Sequence, residues 1–202
     1  MVMRYTIFNT PILKAFLRGL SLFLLKILGW KKKGELPKQD KYVVIIAPHT
    51  SNWDLFYGII LAFALKLDPR FIAKKELFRR PFSTLMKWLG GIPIDRTLSS
   101  HLVDQMIYAF NESKKFALAL APEGTRHKTS YWKSGFYHIA VRAHVPIQLA
   151  FLDYPSKTGG AGPLINPTGN LDYDMQAIRN FYMTVKGKYP QNTGPVIIQH
   201  KT

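Results

Sequence analysis

The stretch Tyr42-Val-Val-Ile-Ile-Ala-Pro-His-Thr-Ser-Asn-Trp-Asp54 decides the fold that the sequence predicts. It begins as an apolar, β-branched run of strand length, and His49 follows that run after a single proline. One continuous helix cannot pair His49 with Asp54, because five residues separate their side chains by about 140° around a helix axis. We therefore expect a strand, a turn and a new helix that begins near Trp53, with a cap from the polar residues at positions 50–52.

The pair of His49 and Asp54 has two interpretations. In the predicted arrangement, Asp54 lies in the first turn of the helix, where a carboxylate fixes the imidazole tautomer while the other ring nitrogen takes a proton from a hydroxyl. Alternatively, His49 is only a histidine whose ring is satisfied at the end of a strand, because a two-residue pattern is short. The segments downstream decide between these interpretations.

Apolar runs and helical patterns alternate along the rest of the chain. The predicted strands, separated by helical segments, lie at residues 42–47, 70–75, 92–96, 116–121, 145–154 and 195–199. This alternation predicts an α/β fold with a largely parallel sheet flanked by helices, whose functional groups gather at the carboxyl ends of the strands. Residues 155–170 are rich in Gly and Pro.

Polar residues follow two further predicted strands. Arg96 ends the strand at residues 92–96, and the segment Pro122-Glu-Gly-Thr-Arg126 leaves the strand at residues 116–121. We therefore expect these residues and His49 at one edge of the sheet. The alternative for the second segment is a turn that carries an exposed salt bridge.

The residue types in the segment Pro122–Arg126 suit a bound phosphate. Gly124 permits close backbone approach, and Thr125 supplies a hydroxyl. Arg126 offers a planar fork for two phosphate oxygens, and Arg96 adds a second cation. Glu123 does not fit, because its carboxylate would repel the phosphate. Two roles stay open for Glu123: it accepts a hydrogen bond from an acceptor alcohol, or it restrains one of the arginines.

The composition indicates one basic domain. A chain of 202 residues with 47% apolar content is large enough for one well-covered core and short for two. The 28 Lys and Arg against 12 Asp and Glu give a net charge of +16, which favours nucleic acid, an anionic membrane surface or an acidic protein as partner. The lack of cysteine excludes a disulfide framework, a thiol nucleophile and a thiolate metal site.

The N-terminal segment Pro11–Trp30 predicts an amphipathic membrane-interface helix. Its length suits a bilayer, but three cations interrupt it. On a helix, Lys14, Arg18 and Ser21 share one narrow stripe while the rest of the circumference is apolar, as in helices that lie in a membrane interface. The alternative is a core helix of a soluble fold.

The next segment predicts a boundary within the chain. Residues 31–41 are polar and contain Gly34 and Pro37, which is typical of a linker. We therefore expect a membrane-associated helix and linker over residues 1–40, followed by an α/β domain over residues 41–202.

Four segments of this chain resemble the motif blocks of the glycerolipid acyltransferases, in the same order and with approximately the same spacing. They are His49-x4-Asp54, Gly90-Gly-Ile-Pro-Ile-Asp-Arg96, Pro122-Glu-Gly-Thr-Arg126 and Val145-Pro-Ile147. The likeness runs from about Tyr42 to Leu152. Within this family, the chain closely resembles the bacterial 1-acyl-sn-glycerol-3-phosphate acyltransferases.

The resemblance implies a role for each block. His49 is then the general base and Asp54 its orienting partner. The second and third blocks bind the phosphate of the acceptor, and Pro146 forms part of the wall of the acyl pocket. The residues implied for the acceptor site are Arg96, Glu123, Gly124, Thr125 and Arg126.

The implied reaction moves a fatty acyl group from a thioester to the hydroxyl of a lysophospholipid, without a covalent acyl-enzyme, a metal or a bound cofactor. The expected acceptor is 1-acyl-sn-glycerol-3-phosphate, which yields phosphatidic acid, and the expected donor is acyl-CoA or acyl-acyl carrier protein. The basic surface is then expected to meet anionic membrane lipids at the cytoplasmic face of the cell membrane. No nucleic-acid partner is expected.

Three positions depart from the family pattern. Pro48 stands where an Asn commonly precedes the histidine, Ala121 replaces a usual Phe, and His127 replaces a common Ser. These changes leave the chemistry intact. They keep another lysolipid, or a hydroxylated aminolipid of the lyso-ornithine or glycine-lipid type, open as the acceptor.

Two other classes of function stay as alternatives. A metallohydrolase would use His49, Asp54 and either His101 or Glu123 as ligands, although the closely spaced histidine pairs typical of zinc sites are missing. A non-enzymatic binder of anionic surfaces or nucleic acid would explain the charge of +16 but not the four blocks.

Overall fold

The apolar run before His49 forms the central strand of the protein. The computed structural model describes residues 6–94 and 102–198. Its helices are α1 (Pro11–Ile27), α2 (Trp53–Leu65), α3 (Ser83–Trp88), α4 (Leu102–Glu112), α5 (Gly135–Arg142) and α6 (Leu171–Tyr182), with 3-10 turns at Lys75–Phe78 and Pro190–Asn192. Its strands are β1 (Lys31–Lys33), β2 (Lys41–Ile46), β3 (Pro69–Lys74), β4 (Gly91–Ile94), β5 (Phe116–Leu120), β6 (Ile147–Asp153) and β7 (Thr158–Ile165).

The described strands form one seven-stranded sheet in the order β1-β7-β6-β2-β5-β3-β4. The five strands from β6 to β4 in this order are parallel, and Val43 of β2 pairs with both Ile147 of β6 and Leu118 of β5. The predicted α/β fold with a largely parallel sheet and flanking helices is confirmed. The carboxyl ends of these five strands therefore lie at one edge.

The central strand β2 is buried on both faces. Val43 and Ile45 face the main core, which contains residues of α4, α5 and α6. Tyr42 and Val44 face the opposite side, where they pack with alanines of β5. A strand that is covered on both faces needs a continuous apolar run instead of alternating polar residues, and the sequence shows such a run.

The linker predicted for residues 31–41 is wrong in its first part. Lys31–Lys33 form the edge strand β1, which pairs in parallel with β7. All three lysines are exposed, so the strand buries no apolar residue that a sequence pattern would reveal. Edge strands rich in lysine are protected against pairing with other chains. The sheet therefore extends into the region that the sequence assigned to the N-terminal segment.

The Gly- and Pro-rich region after residue 155 contains strand β7, which the sequence pattern did not reveal. This strand runs antiparallel to β6 and completes a hairpin with it. A Cβ atom at Gly160 would lie 2.0 Å from the carbonyl oxygen of Lys33 in β1, so a larger residue there would push the two strands apart. Glycine in this strand permits a close approach of backbones and is not evidence of a loop.

The strand predicted at residues 195–199 does not form within the described part of that segment. Ile198 makes only an isolated parallel bridge with Trp132. The edges of the described sheet are β1 and β4. The C-terminal segment packs beside the loop that contains Trp132. The backbone N–H of Trp132 donates to the carbonyl oxygen of Ile197. Within the described residues, the segment therefore adds no strand to the sheet.

Helix α1 has one packed face, as in the predicted core helix, and one exposed apolar face, as in the predicted membrane-interface helix. One face packs against α2 and buries Ser21 and Leu25, so Ser21 does not belong to an exposed polar stripe. Another face is a row of exposed apolar side chains, which we call the apolar row of α1: Ile12, Phe16, Leu20, Phe23 and Ile27. Among the residues that the structure describes, no helix has the length and hydropathy needed to cross a membrane.

Candidate active site

The predicted strand, turn and helix around His49 are confirmed. The histidine lies just beyond the carboxyl end of β2, and α2 begins at Trp53. The cap comes from the expected residues at positions 50–52: Asn52 occupies the cap position, although its side chain makes no capping hydrogen bond. Ser51 takes that role in part, since its hydroxyl oxygen accepts a hydrogen bond from the backbone N–H of Trp53 at 3.1 Å.

Asp54 is the most heavily hydrogen-bonded side chain of the site. Its Oδ2 lies 3.1 Å from Nδ1 of His49 and accepts hydrogen bonds from the backbone N–H groups of Thr50 and Ser51, each at 2.9 Å. Its Oδ1 accepts a hydrogen bond from the hydroxyl of Tyr154 at 2.6 Å. Asp54 is only 5% exposed, so these partners replace the water that a carboxylate requires.

The charge state of Asp54 sets the tautomer of His49. Burial by itself raises the pKa of Asp54, but the hydrogen bonds from His49, Tyr154, Ser51 and Thr50 outweigh it and hold the pKa below its ordinary value. The carboxylate is therefore ionised at neutral pH and only accepts hydrogen bonds. Nδ1 of His49 must then carry the proton, which leaves Nε2 as an acceptor.

The ring of His49 remains accessible beside this buried carboxylate. Its side chain is 27% exposed, and Nε2 has no hydrogen-bond partner among the residues that the structure describes. An imidazole with one nitrogen fixed by a carboxylate and the other nitrogen open is arranged to accept a proton from a hydroxyl.

Glu123 supports His49 and does not restrain an arginine within the described contacts. Its Oε2 accepts a hydrogen bond from the backbone N–H of His49 at 2.7 Å, and the residue is only 5% exposed. Burial raises the pKa of Glu123 to about 7, against the opposing effects of the His49 backbone and ring, and the nearby charge of Asp54 raises it further. The two roles that the sequence left open did not include this backbone contact.

The segment after Glu123 forms an exposed loop over the same edge. Gly124 adopts φ +67°, and a Cβ atom there would lie 3.1 Å from Cε of Lys133, so a glycine suits both the backbone conformation and the space. The guanidinium of Arg126 donates a hydrogen bond to Oδ1 of Asn52. The hydroxyl oxygen of Thr125 accepts from the backbone N–H of His127 at 3.2 Å. This contact between Arg126 and Asn52 brings the first and third motif blocks together.

The described structure does not test the predicted roles of two site residues, Arg96 and Pro146. Arg96 lies outside the described residues, and β4, which precedes it, is separated from β2 by β5 and β3. Pro146 is buried before the start of β6, and its carbonyl oxygen accepts from the N–H of Val43. That position is at the amino-terminal edge, roughly 20 Å from His49 at 3.3 Å per residue. The predicted place of Pro146 in the wall of an acyl pocket stays a prediction.

Residues 47–54 form what we call the His49 loop. Sequence reasoning missed the residues outside the four blocks that hold this loop in place. Tyr154 follows β6 and reaches Asp54. We call residues 186–189 the C-terminal strap. The backbone N–H of Tyr189 in this strap donates to the hydroxyl oxygen of Thr50 at 3.2 Å. Nζ of Lys188 lies 4.7 Å from the ring centroid of Trp53. Neither contact has a local sequence pattern, because the partners lie far apart in the chain.

A basic cleft lies along the same edge of the sheet. It has a volume of about 510 Å³ and is lined by Lys75, Glu76, Phe78, Arg79, Ser83, Lys87 and Pro93. Its three cations outnumber its one carboxylate, and Lys75 directly follows the carboxyl end of β3. A second cavity, of about 330 Å³, lies at the amino ends of β2, β3 and β5, away from His49.

The metallohydrolase alternative finds no ligand set in residues 6–94 and 102–198. No group of three or more His, Cys, Asp or Glu side chains in these ranges is placed to hold a metal ion. His101, one of the ligands predicted for that alternative, lies outside the described residues.

Comparison with known proteins identifies the family. The Acyltransferase family model matches residues 30–149, which is more than half of this chain. The chain belongs to the acyltransferase family. The family that the four motif blocks resemble is thereby confirmed, and the matched range contains His49, Asp54, Glu123 and Arg126.

Two curated relatives bear the same name. The chain is 36% identical over 142 residues to the 1-acyl-sn-glycerol-3-phosphate acyltransferase of Streptococcus pneumoniae, an alignment that covers 65% of this chain and 51% of that protein. It is 31% identical over 113 residues to the 1-acyl-sn-glycerol-3-phosphate acyltransferase of Limnanthes douglasii, with 53% and 39% covered. The matched part thus spans about half of the bacterial relative and less of the plant relative.

A solved structure shares the fold of this chain. The crystal structure of the 1-acyl-sn-glycerophosphate (LPA) acyltransferase PlsC from Thermotoga maritima superimposes with a TM-score of 0.58 and covers 85% of this chain and 78% of its own. The sequences are 16% identical, so this likeness concerns the fold.

Proposed function

We propose that this acyltransferase moves a fatty acyl group from an acyl thioester to the hydroxyl of 1-acyl-sn-glycerol-3-phosphate and so forms phosphatidic acid. The observation that carries the proposal is the pair of His49 and Asp54, 3.1 Å apart, with a buried ionised carboxylate and an accessible ring. The names of the two curated relatives support this choice of acceptor.

The proposed mechanism uses His49 first as a base and then as an acid. Nε2 accepts the proton of the acceptor hydroxyl as its oxygen attacks the thioester carbonyl carbon. The tetrahedral intermediate collapses, the bond between carbon and sulfur breaks, and the thiolate takes the proton back from the imidazolium. Asp54 stabilises the imidazolium by its charge, and Glu123 holds the backbone of His49. No covalent acyl-enzyme, metal or bound cofactor takes part.

The phosphate of the acceptor is proposed to bind the exposed loop after Glu123. Arg126 is exposed, lies next to Asn52 of the His49 loop, and supplies the planar fork that suits two phosphate oxygens. The cations of the basic cleft extend positive charge along the same edge. Arg96 completes this set of cations in the proposal. The donor is acyl-CoA or acyl-acyl carrier protein.

A direct assay of products tests the proposed reaction. The purified protein is incubated with a mixture of lysolipids, with acyl-CoA or acyl-acyl carrier protein, and the products are identified by mass spectrometry. We expect phosphatidic acid as the main product. Equal acylation of lysolipids that lack a phosphate would favour the aminolipid type of acceptor, and the absence of any acylated product would contradict the proposal.

The protein is further proposed to bind the cytoplasmic face of the cell membrane through the apolar row of α1. Phe16 is 67% exposed and Phe23 is 59% exposed, and Trp53, 50% exposed, lies at the start of α2 near His49. Lysines and arginines beside this row favour anionic lipids, each by about 1 kcal/mol. Apolar side chains that enter the interface add the part of the binding that salt does not weaken.

Substitution of the apolar row tests this binding. Deletion of residues 1–33 is unsuitable, because it removes the buried Trp30 and strand β1. Phe16→Ser with Phe23→Ser leaves the face that packs on α2 intact and should weaken binding to anionic liposomes about 10-fold or more. Flotation measures the bound fraction, and the matched control is Tyr108→Ser with Tyr173→Ser, exposed aromatics of α4 and α6. Equal flotation of both double variants would contradict the proposal.

A further inference from the structure

Tyr154 is a half-buried partner of the candidate base pair that lies outside the matched family region. It follows β6 directly, and the family match ends at residue 149. Its hydroxyl donates a hydrogen bond to Oδ1 of Asp54 at 2.6 Å across 100 positions of sequence. No other described side chain donates to that oxygen.

The two oxygens of Asp54 have different partners, and this difference gives Tyr154 a specific task. His49, Thr50 and Ser51 all contact Oδ2. A carboxylate that is held at one oxygen can still turn about that point. The hydroxyl of Tyr154 fixes the second oxygen, so the plane of the carboxylate and the direction of its lone pairs toward His49 are both set.

The ring of Tyr154 is held in place by aromatic side chains that join the N-terminal region to the site. Trp30, which lies between α1 and β1, meets the Tyr154 ring edge-on with centroids 5.2 Å apart. Trp30 also stacks on Tyr57 of α2 at 4.3 Å, and Tyr57 meets Tyr154 edge-on at 5.9 Å. The backbone N–H of Tyr154 donates to the carbonyl oxygen of Lys186 in the C-terminal strap at 3.0 Å.

The hydroxyl of Tyr154 is protonated at neutral pH, because its pKa is raised. Burial raises the pKa of Tyr154 well above its ordinary value, and the hydrogen bond to Asp54 and the charge of that carboxylate raise it further. At neutral pH, the hydroxyl of Tyr154 therefore donates the hydrogen bond and the ionised carboxylate of Asp54 accepts it.

We propose that Tyr154 is a positioning residue of the acyl-transfer reaction, which orients the carboxylate of Asp54 so that Asp54 in turn orients His49. Tyr154 acts through Asp54 and does not touch the reacting atoms. The inference rests on the proposed function, because it assigns a kinetic effect to a contact of the proposed pair.

The first test removes only the hydroxyl. Tyr154→Phe should lower kcat about 10-fold, the size expected for one hydrogen bond to a charged group, with little change in the KM of either substrate. Tyr57→Phe is the matched control, because Tyr57 belongs to the same aromatic cluster and its hydroxyl has no hydrogen-bond partner among the described residues. The control should keep the kcat of the unsubstituted protein.

The second test asks whether the effect passes through Asp54. Tyr154→Phe should cost scarcely any further activity when Asp54→Asn is already present, because no ionised carboxylate then remains to be oriented. A purely structural role would give an additive loss in the double variant. Additive losses, an effect confined to KM, or an unchanged kcat in folded Tyr154→Phe would each overturn the inference.

Two further variants keep these outcomes distinct. If Tyr154→Phe is unfolded at the assay temperature by circular dichroism, Trp30→Phe takes its place, because it keeps the hydroxyl but loosens the ring. Trp30→Phe should lower kcat less than Tyr154→Phe does, and it should cause no further loss when Asp54→Asn is already present. An additive loss would overturn the inference. His49→Ala separates the two proposals: full activity in His49→Ala contradicts the proposed function, whereas an inactive His49→Ala beside a fully active, folded Tyr154→Phe contradicts only the role of Tyr154.

Discussion

The His49 loop (residues 47–54) and the exposed loop at residues 124–126 lie at the same edge of the sheet but are built differently. In the His49 loop, the side chain of Asp54 is buried and accepts hydrogen bonds at both oxygens. In the second loop, Arg126 is exposed and its one described hydrogen bond is to a side chain of the His49 loop. One loop is fixed by buried contacts, and the other presents its cation to solvent.

This difference separates two tasks. A group that moves a proton works best when its geometry is fixed before the substrate arrives. A group that binds an anionic acceptor must stay open until the acceptor is bound, and its contribution then appears in KM. We therefore expect substitutions in the His49 loop to change kcat and substitutions at Arg126 to change the KM of the acceptor.

The largest effect is expected at His49. His49→Ala should lower kcat by about 10² to 10⁴, the contribution of a positioned general base, while the KM of either substrate changes little. Steady-state kinetics measures both constants, and His138→Ala, an exposed histidine of α5, is the matched control. A folded His49→Ala protein with normal kcat would remove the basis of the contrast between the loops.

Substitution of Asp54 tests whether His49 and Asp54 act as one unit. Asp54→Asn keeps the size of the side chain but removes the charge that stabilises the imidazolium, so it should also lower kcat heavily. Combined with His49→Ala, it should cost scarcely more than the worse single substitution. Multiplying losses in the double variant would mean that the two residues work separately.

A smaller effect, in KM, is expected at Arg126. Arg126→Ala should raise the acceptor KM about 10- to 100-fold with little change in the donor KM, and Arg126→Lys should rescue it only in part, because an ammonium lacks the bidentate fork. Asn52→Ala is the matched control, since it removes the described partner of Arg126 but keeps the guanidinium. An equal rise in KM in Asn52→Ala would show that the contact between the loops, and not the cation, binds the acceptor.

The smallest effect is expected at Glu123, a buried carboxylate at the border between the loops. Folding raises its pKa from 4.5 to about 7, so the folded protein holds this proton more tightly than the unfolded chain, and ionisation costs stability as the pH rises through that range. At about 1.4 kcal/mol per pH unit, this cost is at most about 3 kcal/mol. Glu123→Gln removes this ionisation cost. The Gln side chain accepts a weaker hydrogen bond from the backbone N–H of His49, which lowers the gain in stability by about 1–2 kcal/mol.

Chemical denaturation at two pH values measures this difference. Glu123→Gln should be more stable than the unsubstituted protein by about 1–2 kcal/mol at pH 8, and the gain should shrink as the pH falls to 5. Glu112→Gln, which changes an exposed carboxylate of α4, should show no such dependence. A gain of equal size at both pH values would mean that Glu123 is not a costly buried charge.

The parts of the site that the sequence predicted are those encoded locally. The β-branched run before His49 specifies a buried strand, and the need for a turn between His49 and Asp54 follows from helix geometry alone. The alternation of strands and helices then places the third motif block at the same edge of the sheet.

The parts that the sequence did not predict depend on which strands become neighbours. β1 was missed because its three lysines bury no apolar face, and β7 was missed because its glycines, which let β1 approach, are also typical of loops. Pro146 was expected in the wall of an acyl pocket from the resemblance, and that role stays a prediction; the structure places Pro146 before β6, at the opposite edge from His49.

The sequence by itself thus determined the strand, turn and helix that carry His49 and Asp54, because the residue types that form them are contiguous. Only the tertiary structure decided what surrounds the pair. β5 lies beside β2, so Glu123 meets the backbone of His49, and the end of β6 brings Tyr154 to Asp54 across 100 positions of sequence. Such contacts follow from the order of strands in the sheet, which no local pattern of residues encodes.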